Sequence, residues 1–296
     1  MECDFGQDLG CGDGHVMKVT DILAANVRET ESAKEKSRRL IDGILHETAR
    51  TIPKDSTLPD AIQTYTAVMG KDICTPEFMR FCEHLCGDNR QVSYEDFLPE
   101  PARIGADPPI SRIAYQKNPY SDRAFTRLTD TMPGADAVCL PTTASVCEEI
   151  YYGRCTHCIL PIYSSADGIL TAFTKLIDKY DLVINAACDV SLPDGDSIMR
   201  FALLRHELSL PNADHCYVQI NAVLPPSASL AMLLGACESI GASVSEMITN
   251  PLAYTTSNVS YTIRLRVPLK RLTVLLVFLR SVLDNYTLEG IFTIIH

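Results

Sequence analysis

The sequence predicts a multidomain protein of α/β and α+β class, on three observations. Two turn-rich joints divide the chain, helical periodicity fills the part before the first joint, and short apolar strands interleave with helices after it. The first joint runs through Leu98-Pro99-Glu100-Pro101 and Asp107-Pro108-Pro109, where proline removes backbone donors and biases the preceding residues away from helix. The second is the polar cluster Ser209 to Asp214. Three sections follow: a helical one over residues 1–100, a single βαβ-type lobe over 110–208, and a βαββαβ unit over 214–296.

In the first section a long helix is expected from Val19 to Thr51, broken at Pro53, then helices from Pro59 to Met69 and from Pro76 to Cys86. Thr75 suits the N-cap of the third, with Pro76 at the first helical position, where a missing N–H costs nothing. In the second section strands are expected at Arg112–Tyr115, Ala137–Leu140, His157–Ile162, Leu182–Ala186 and Phe201–Arg205. Helices at Ser121–Met132, Thr143–Tyr152 and Gly168–Tyr180 separate them, which implies crossovers and a mainly parallel sheet. The third section reads as strand Cys216–Val223, helix Ser229–Ile240, strands Ser243–Ile248 and Tyr261–Val267, helix Leu269–Asp284 and strand Gly290–Ile295. Two βαβ halves of this length form a four-stranded antiparallel sheet with both helices on one face, the ferredoxin-like arrangement.

Composition excludes several classes of function. The chain has 296 residues, 46% hydrophobic and 21% charged, enough for two or three packed domains. Lys plus Arg number 26 against 37 acidic residues, and a formal charge of −11 repels nucleic acid and anionic membrane. The one dense basic stretch, Lys34 to Arg39, is interleaved with Glu29, Glu31 and Glu35 and reads as the solvated face of a helix. The acidic start Met1-Glu2-Cys3-Asp4 lacks the apolar run of a secretory signal, and the apolar run Leu272–Leu279 is too short to span a bilayer. A cytoplasmic location is expected, with the twelve cysteines as thiols. Cys155-Thr156-His157-Cys158 lacks the second pair that a zinc ribbon needs, and Cys82 and Cys86 share an apolar helix face. No metal site and no cofactor are expected.

Local motifs carry a family resemblance. Arg112-Ile113-Ala114-Tyr115 followed by Tyr120-Ser121, Ile159-Leu160-Pro161-Ile162 followed by Ser165 and Gly168, and Met199-Arg200-Phe201 occur in the order of three prephenate dehydratase segments. Pro226-Ser227-Ala228-Ser229-Leu230 and Ile248-Thr249-Asn250-Pro251 stand where phenylalanine-sensing ACT domains have their G-A-L and E-S-R-P elements. Met69-Gly70-Lys71 with Pro76-Glu77-Phe78 is similar to the last helices of a chorismate mutase. The chain thus resembles the bifunctional chorismate mutase/prephenate dehydratase proteins of phenylalanine synthesis, from about Arg112 to the C-terminus by motif and before it by helix layout.

The departures from that family point away from catalysis. The resemblance makes the threonine of T-R-F the proton donor, and Met199 stands there; a thioether cannot donate a proton. Tyr163 and Ser164 replace a Glu and an Asn, and Lys117-Asn118-Pro119 replaces a glycine-rich loop. Only Ser191 to Asp196 join the segments ending near Val190 and beginning near Arg200, so the second dehydratase lobe is expected to be missing, with Pro193-Asp194-Gly195-Asp196 as a closing turn. No catalytic residue is therefore assigned. Ser165 and Arg200, with Arg28, Arg38 and Arg39 on the first helix, are the remnants that an active enzyme would use; each equally suits a structural role.

The expected function is a non-catalytic regulatory or interaction protein derived from a prephenate dehydratase, which senses a small amino-acid-like effector through its ACT domain. The alternative is an active prephenate dehydratase or chorismate mutase. By the resemblance, the effector would be held by Pro226, Ser227, Ala228 and Ser229 before the first ACT helix, with Thr249, Asn250 and Pro251 opposite, and two copies would pair as a homodimer. Ser227 for glycine and Asn250 for arginine alter the pocket's chemistry, and a fold kept for dimerisation alone stands beside effector binding.

Overall fold

The computed structural model describes residues 19–70, 72–87, 94–100, 102–106, 108, 111–130, 132, 134–191, 197–224, 229–251 and 259–295. Two of the first three helices start at residues able to satisfy free amides. α1 spans Val19–Thr51, α2 Leu58–Met69 and α3 Pro76–Gly87. Before α2, Thr57 and Asp60 form a reciprocal capping box with Pro59 in the first turn. Before α3, Thr75 Oγ1 accepts from Phe78 N at 3.2 Å, the expected cap.

The chain divides into two units, Met1–Ile44 and Leu45–His296. In the first, α1 exposes most of its side chains from Ile22 onward and carries the surface ion pairs Lys34–Glu31 and Arg39–Glu35. In the second, Leu45, Ala49 and Ile52 are buried, and Tyr65, Phe78 and Phe81 form an aromatic cluster between α2 and α3.

The rest of the second unit comprises β1 (Arg112–Gln116), α4 (Pro119–Thr129), β2 (Asp136–Leu140), α5 (Thr143–Tyr151), β3 (His157–Ser164), β4 (Gly168–Ile169), α6 (Thr171–Lys179), β5 (Val183–Ser191) and β6 (Ile198–Arg205), followed by β7 (His215–Val223), α7 (Leu230–Ser239), β8 (Ser243–Pro251), β9 (Val259–Pro268), α8 (Leu272–Val282) and β10 (Tyr286–Ile295). All ten strands join one mixed sheet, ordered β2-β1-β3-β6-β5-β10-β7-β9-β8, with β4 beside β3.

Within this sheet the expected mainly parallel lobe is corrected. β1 pairs parallel with β2 and β3, but β6 runs antiparallel to both β3 and β5. Six residues between β5 and β6 cannot hold a crossover helix, which needs a dozen or so, and the two strands must therefore form a hairpin. The turn expected at Pro193 to Asp196 lies outside the described residues. Gly168 opens no helix: its φ of +74° starts the short β4, which pairs with β3, and α6 begins only at Thr171. The helix expected from Leu269 begins as a 3-10 turn, and α8 proper starts at Leu272.

The last four strands take the order β10-β7-β9-β8 with every neighbouring pair antiparallel, the split-βαβ pattern. The apolar run of α8 is buried, including Leu275, Leu276, Phe278 and Leu279. Both α7 and α8 touch α3, where Phe78 and Phe278 lie 6.2 Å apart. No helix among the described residues is long and apolar enough to cross a membrane. The ten described cysteines are free thiols, and Cys82, Cys155 and Cys158 are buried.

β10 also pairs in parallel with β5, which makes the βαββαβ sheet continuous with the lobe. Gly290 permits this approach: a Cβ there would stand 2.5 Å from the carbonyl oxygen of Ile184.

Candidate functional site

Strand connectivity identifies where a ligand would sit. From β1 the chain crosses through α4 to β2 on one side, then through α5 to β3 on the other, so the carboxyl ends of β1 and β3 form a topological switch point. Ligands of open α/β sheets bind in the crevice there. A cavity of about 320 Å³ occupies it, bounded by Gln116, the α4 N-terminus, Thr143, Ile159 to Pro161 and Phe173, with Ser197, Met199 and Phe201 across from them.

The cavity's polar groups are largely spent on one another. Asn118, the N-cap of α4, accepts from the amides of Tyr120 and Ser121 and donates to Ser121 Oγ at 2.8 Å. Gln116 Nε2 donates to the carbonyl of Pro141 at 3.0 Å, and its Oε1 accepts from Thr143 Oγ1 at 3.2 Å. None of the described lining residues carries a charge. The amides at the mouth of α4 that would attract an anion already face the Asn118 side chain. This capping role is carried by Asn118-Pro119, an N-cap followed by proline at the first helical position, and that pair is itself the sequence signal for it.

The remnants expected of an active enzyme lie elsewhere. Met199 and Phe201 line the cavity, and strand alternation turns Arg200 to the other face of β6. There its guanidinium grips Asp189 through Nε at 2.6 Å and Nη2 at 3.0 Å, meets Glu246 through Nη1 at 2.7 Å, and lies over the Tyr163 ring. Ser165 exchanges hydrogen bonds with the Ile198 backbone, its Oγ accepting at 3.0 Å, and so ties the end of β3 to the start of β6. Arg28, Arg38 and Arg39 are exposed on α1, and Arg39 pairs with Glu35.

Of the residues expected to hold an effector, Pro226, Ser227 and Ala228 lie outside the described residues. Ser229 caps α7, its Oγ accepting from Met232 N at 3.2 Å. Thr249 is exposed on β8, Asn250 donates to Thr262 Oγ1 at 3.1 Å, and Pro251 pairs with Val259 at the strand's end. Register brings the end of β7 and the end of β8 to one end of the sheet: Val223, six residues before Ser229, faces Ser260, which faces Asn250.

A buried polar relay was not anticipated from the sequence. Beyond Arg200 and Glu246 it runs to Arg264, whose Nη1 meets Glu246 and whose Nε donates to Gln219 Oε1 at 2.7 Å; Gln219 in turn donates to Glu289. Arg264 is wholly buried, and this burial pushes its pKa below the ordinary arginine value. Burial likewise raises Glu289, to about 7, against the lowering effect of the Gln219 bond. The available signal is a charge at an inward-alternating position of an apolar strand, such as Arg264 between Ile263 and Leu265, a pattern also produced by any half-exposed strand.

No family model matches the sequence, and a search of curated proteins returned no match. Solved structures do match. A prephenate dehydratase from Streptococcus mutans aligns with a TM-score of 0.51 at 16% identity, over 63% of this chain and 100% of that one. GqqA, described as a novel type of quorum quenching acylase, aligns at 0.48 and 18% identity over 61% of this chain and 94% of its own. Prephenate dehydratase in complex with L-Phe from Arthrobacter aurescens gives 0.48 and 13% over 62% and 90%. The first likeness shows a prephenate-dehydratase-like fold.

Proposed function

We propose that this is a non-catalytic regulatory or interaction protein, built on a prephenate-dehydratase-like fold, which senses a small amino-acid-like effector through a C-terminal ACT domain and acts as a homodimer. The observation that carries the reading is the absence of charge among the described residues that line the switch-point cavity. Prephenate bears two carboxylates, and burying either without a counter-charge costs several kcal/mol. Arg200, the nearest arginine in sequence to the cavity wall, is committed to Asp189 and Glu246 on the opposite face. Met199 at the wall offers no proton, and the β5–β6 hairpin leaves no room in the chain for a second lobe at that point.

The strand order of the βαββαβ unit supports the ACT reading. Ser229 at the start of α7 and Asn250 at the end of β8 share one end of that sheet, as a ligand held by the loop before α7 and the second strand requires. The dipole of α7 favours an effector carboxylate at its N-terminus, where Ser229 takes the Met232 amide alone, whereas Asn118 takes two amides of α4.

The test is direct. Purified full-length protein is incubated with prephenate, and phenylpyruvate is followed; no formation above the uncatalysed rate is expected, and turnover overturns the proposal. A thermal-shift screen of the amino acids then seeks the effector, since a ligand of the folded state raises Tm, and sedimentation tests for the dimer. The competing reading, a working dehydratase, is favoured by the fold likeness alone.

A further inference from the structure

A second cavity, of about 450 Å³, opens between the end of α6, the start of β5, the first half of β10 and the residues Pro99, Ala102 and Arg103. Its outer wall is held by Arg205, whose buried guanidinium donates to the carbonyls of Gly105 at 2.7 Å, Ala106 at 3.2 Å and Glu207 at 2.7 Å. The inner surface is apolar, formed by Ile177, Leu182, Val183 and Leu288. Against this surface stand three carboxylates: Asp178 and Asp181 are exposed at the mouth, and Glu289 is 1% exposed at the inner end.

Glu289 is the informative group. Its Oε2 accepts from Gln219, while its Oε1 is buried with no hydrogen-bond partner. A buried acceptor without a donor is costly and marks a place where a donor belongs. The relay behind it supplies little counter-charge: Arg264 has the smallest of the influences on the carboxyl, and Arg264 and Arg200 are balanced by Glu246 and Asp189, which leaves Glu289 in surplus. On the cavity wall the two basic side chains are otherwise occupied. Arg103 is exposed and 3.6 Å from Glu207, and His206 Nδ1 lies 3.1 Å from the Asp181 carbonyl. Among the described residues no group of three His, Cys, Asp or Glu side chains converges as a metal ion would need, so an organic cation fits better.

We propose that this cavity binds a small primary amine. Its ammonium group donates to Glu289 Oε1, its hydrocarbon body lies on Ile177, Leu182 and Val183, and Asp178 and Asp181 draw the cation to the mouth. Among the described residues the site shares no lining residue with the switch-point cavity and includes neither Ser229 nor Asn250.

The probe pair is 2-phenylethylamine and its neutral counterpart 2-phenylethanol, titrated calorimetrically into the full chain at about pH 8, where the Glu289 carboxylate is ionised. The amine is expected to bind at least about tenfold more tightly, the advantage of a charge-assisted hydrogen bond over a neutral one. In Glu289→Gln the preference should fall to within about threefold, whereas Asp181→Asn, which removes only a screened attraction at the mouth, should weaken the amine by a smaller factor and leave most of the preference. Repeating the wild-type titration near pH 7 in two buffers of different ionisation enthalpy gives a readout that needs no variant. Amine binding should expel a proton from Glu289, beside Gln219 and Arg264 behind it and Asp178, Asp181, His206 and Arg103 around the cavity. No amine binding, equal binding of amine and alcohol, an unchanged preference in Glu289→Gln, or binding without proton release each overturns the proposal. An Asn250→Ala variant separates this outcome from the effector reading, since it alters the end of β8 and should leave the amine preference intact.

Discussion

Arg200 Nη1 lies 2.7 Å from Glu246 Oε1, although β6 and β8 are separated in the sheet by β5, β10, β7 and β9. Five strand spacings of about 4.8 Å would set them about 24 Å apart in a flat sheet, so the sheet must curl until its β8 edge returns toward β4 and β3. β4 does touch β8. Glu246 is the keystone, because it also neutralises the fully buried Arg264. Glu246→Ala should therefore leave two enclosed guanidinium groups short of charge and cost about 3–5 kcal/mol, read as a lower urea midpoint at unchanged m. A loss below about 1 kcal/mol would mean that the closure is not maintained in solution.

The surplus carboxyl at the other end of that relay sets a pH dependence. Glu289 moves from an ordinary 4.5 to about 7 on folding, chiefly through burial. Between those values the native state keeps a proton that the unfolded chain has released, and stability falls as pH rises through the window. The total is on the order of 3 kcal/mol, fully expressed above about pH 7. Asp60 and Glu149 are lowered by their hydrogen bonds to Thr57 and Arg154, so their contributions are lost only at more acidic pH. Urea unfolding at about pH 5 and pH 8 should show Glu289→Gln gaining on the wild type at the higher pH; parallel profiles would refute the burial argument.

How much of this is legible in the sequence depends on whether the determining contacts are local. α1 is expected and found over Val19–Thr51, and α7 lies within its expected limits because Ser229 supplies a cap and Gly241 a stop. The βαββαβ order is likewise readable, being a matter of local periodicity. The pairing of β5 with β10 joins residues about a hundred positions apart and leaves only Gly290 as a trace, which reads as an ordinary strand glycine until Ile184 is seen beside it. The switch-point cavity lies where crossover strands imply a crevice, but the fate of Arg200 does not follow from its motif. Its partners Asp189 and Glu246 acquire their roles only when the sheet curls.

Gly290 yields a separate prediction. An added Cβ would stand 2.5 Å from a backbone oxygen and 2.6 Å from the Ile184 Cβ, neither of which can rotate away. Gly290→Ala should push β10 from β5 and cost about 2–3 kcal/mol, with amide exchange accelerated first in Ile184 to Cys188, the stretch paired with β10. An equally large Gly235→Ala effect would argue against this origin, because a Cβ at Gly235 meets nothing within 4 Å.

Met199→Thr separates a missing hydroxyl from a missing pocket. The substitution restores at the cavity wall the proton donor that the family resemblance implies, in a strand whose neighbours Ser164 and Val190 tolerate a smaller, β-branched residue. If the hydroxyl were the only loss, phenylpyruvate formation would appear. The cavity would still present no cation to either carboxylate, and Arg200 would remain between Asp189 and Glu246 on the far face. Electrostatic positioning of charged prephenate is as necessary as the acid, so on the proposed reading the variant should form no phenylpyruvate at prephenate concentrations that saturate a dehydratase. Opening the Arg200 pairs as well, in Met199→Thr combined with Asp189→Asn, should fail too, because strand alternation continues to direct the guanidinium away from the cavity. Turnover by either variant would show that prephenate reaches a cation absent from the described lining.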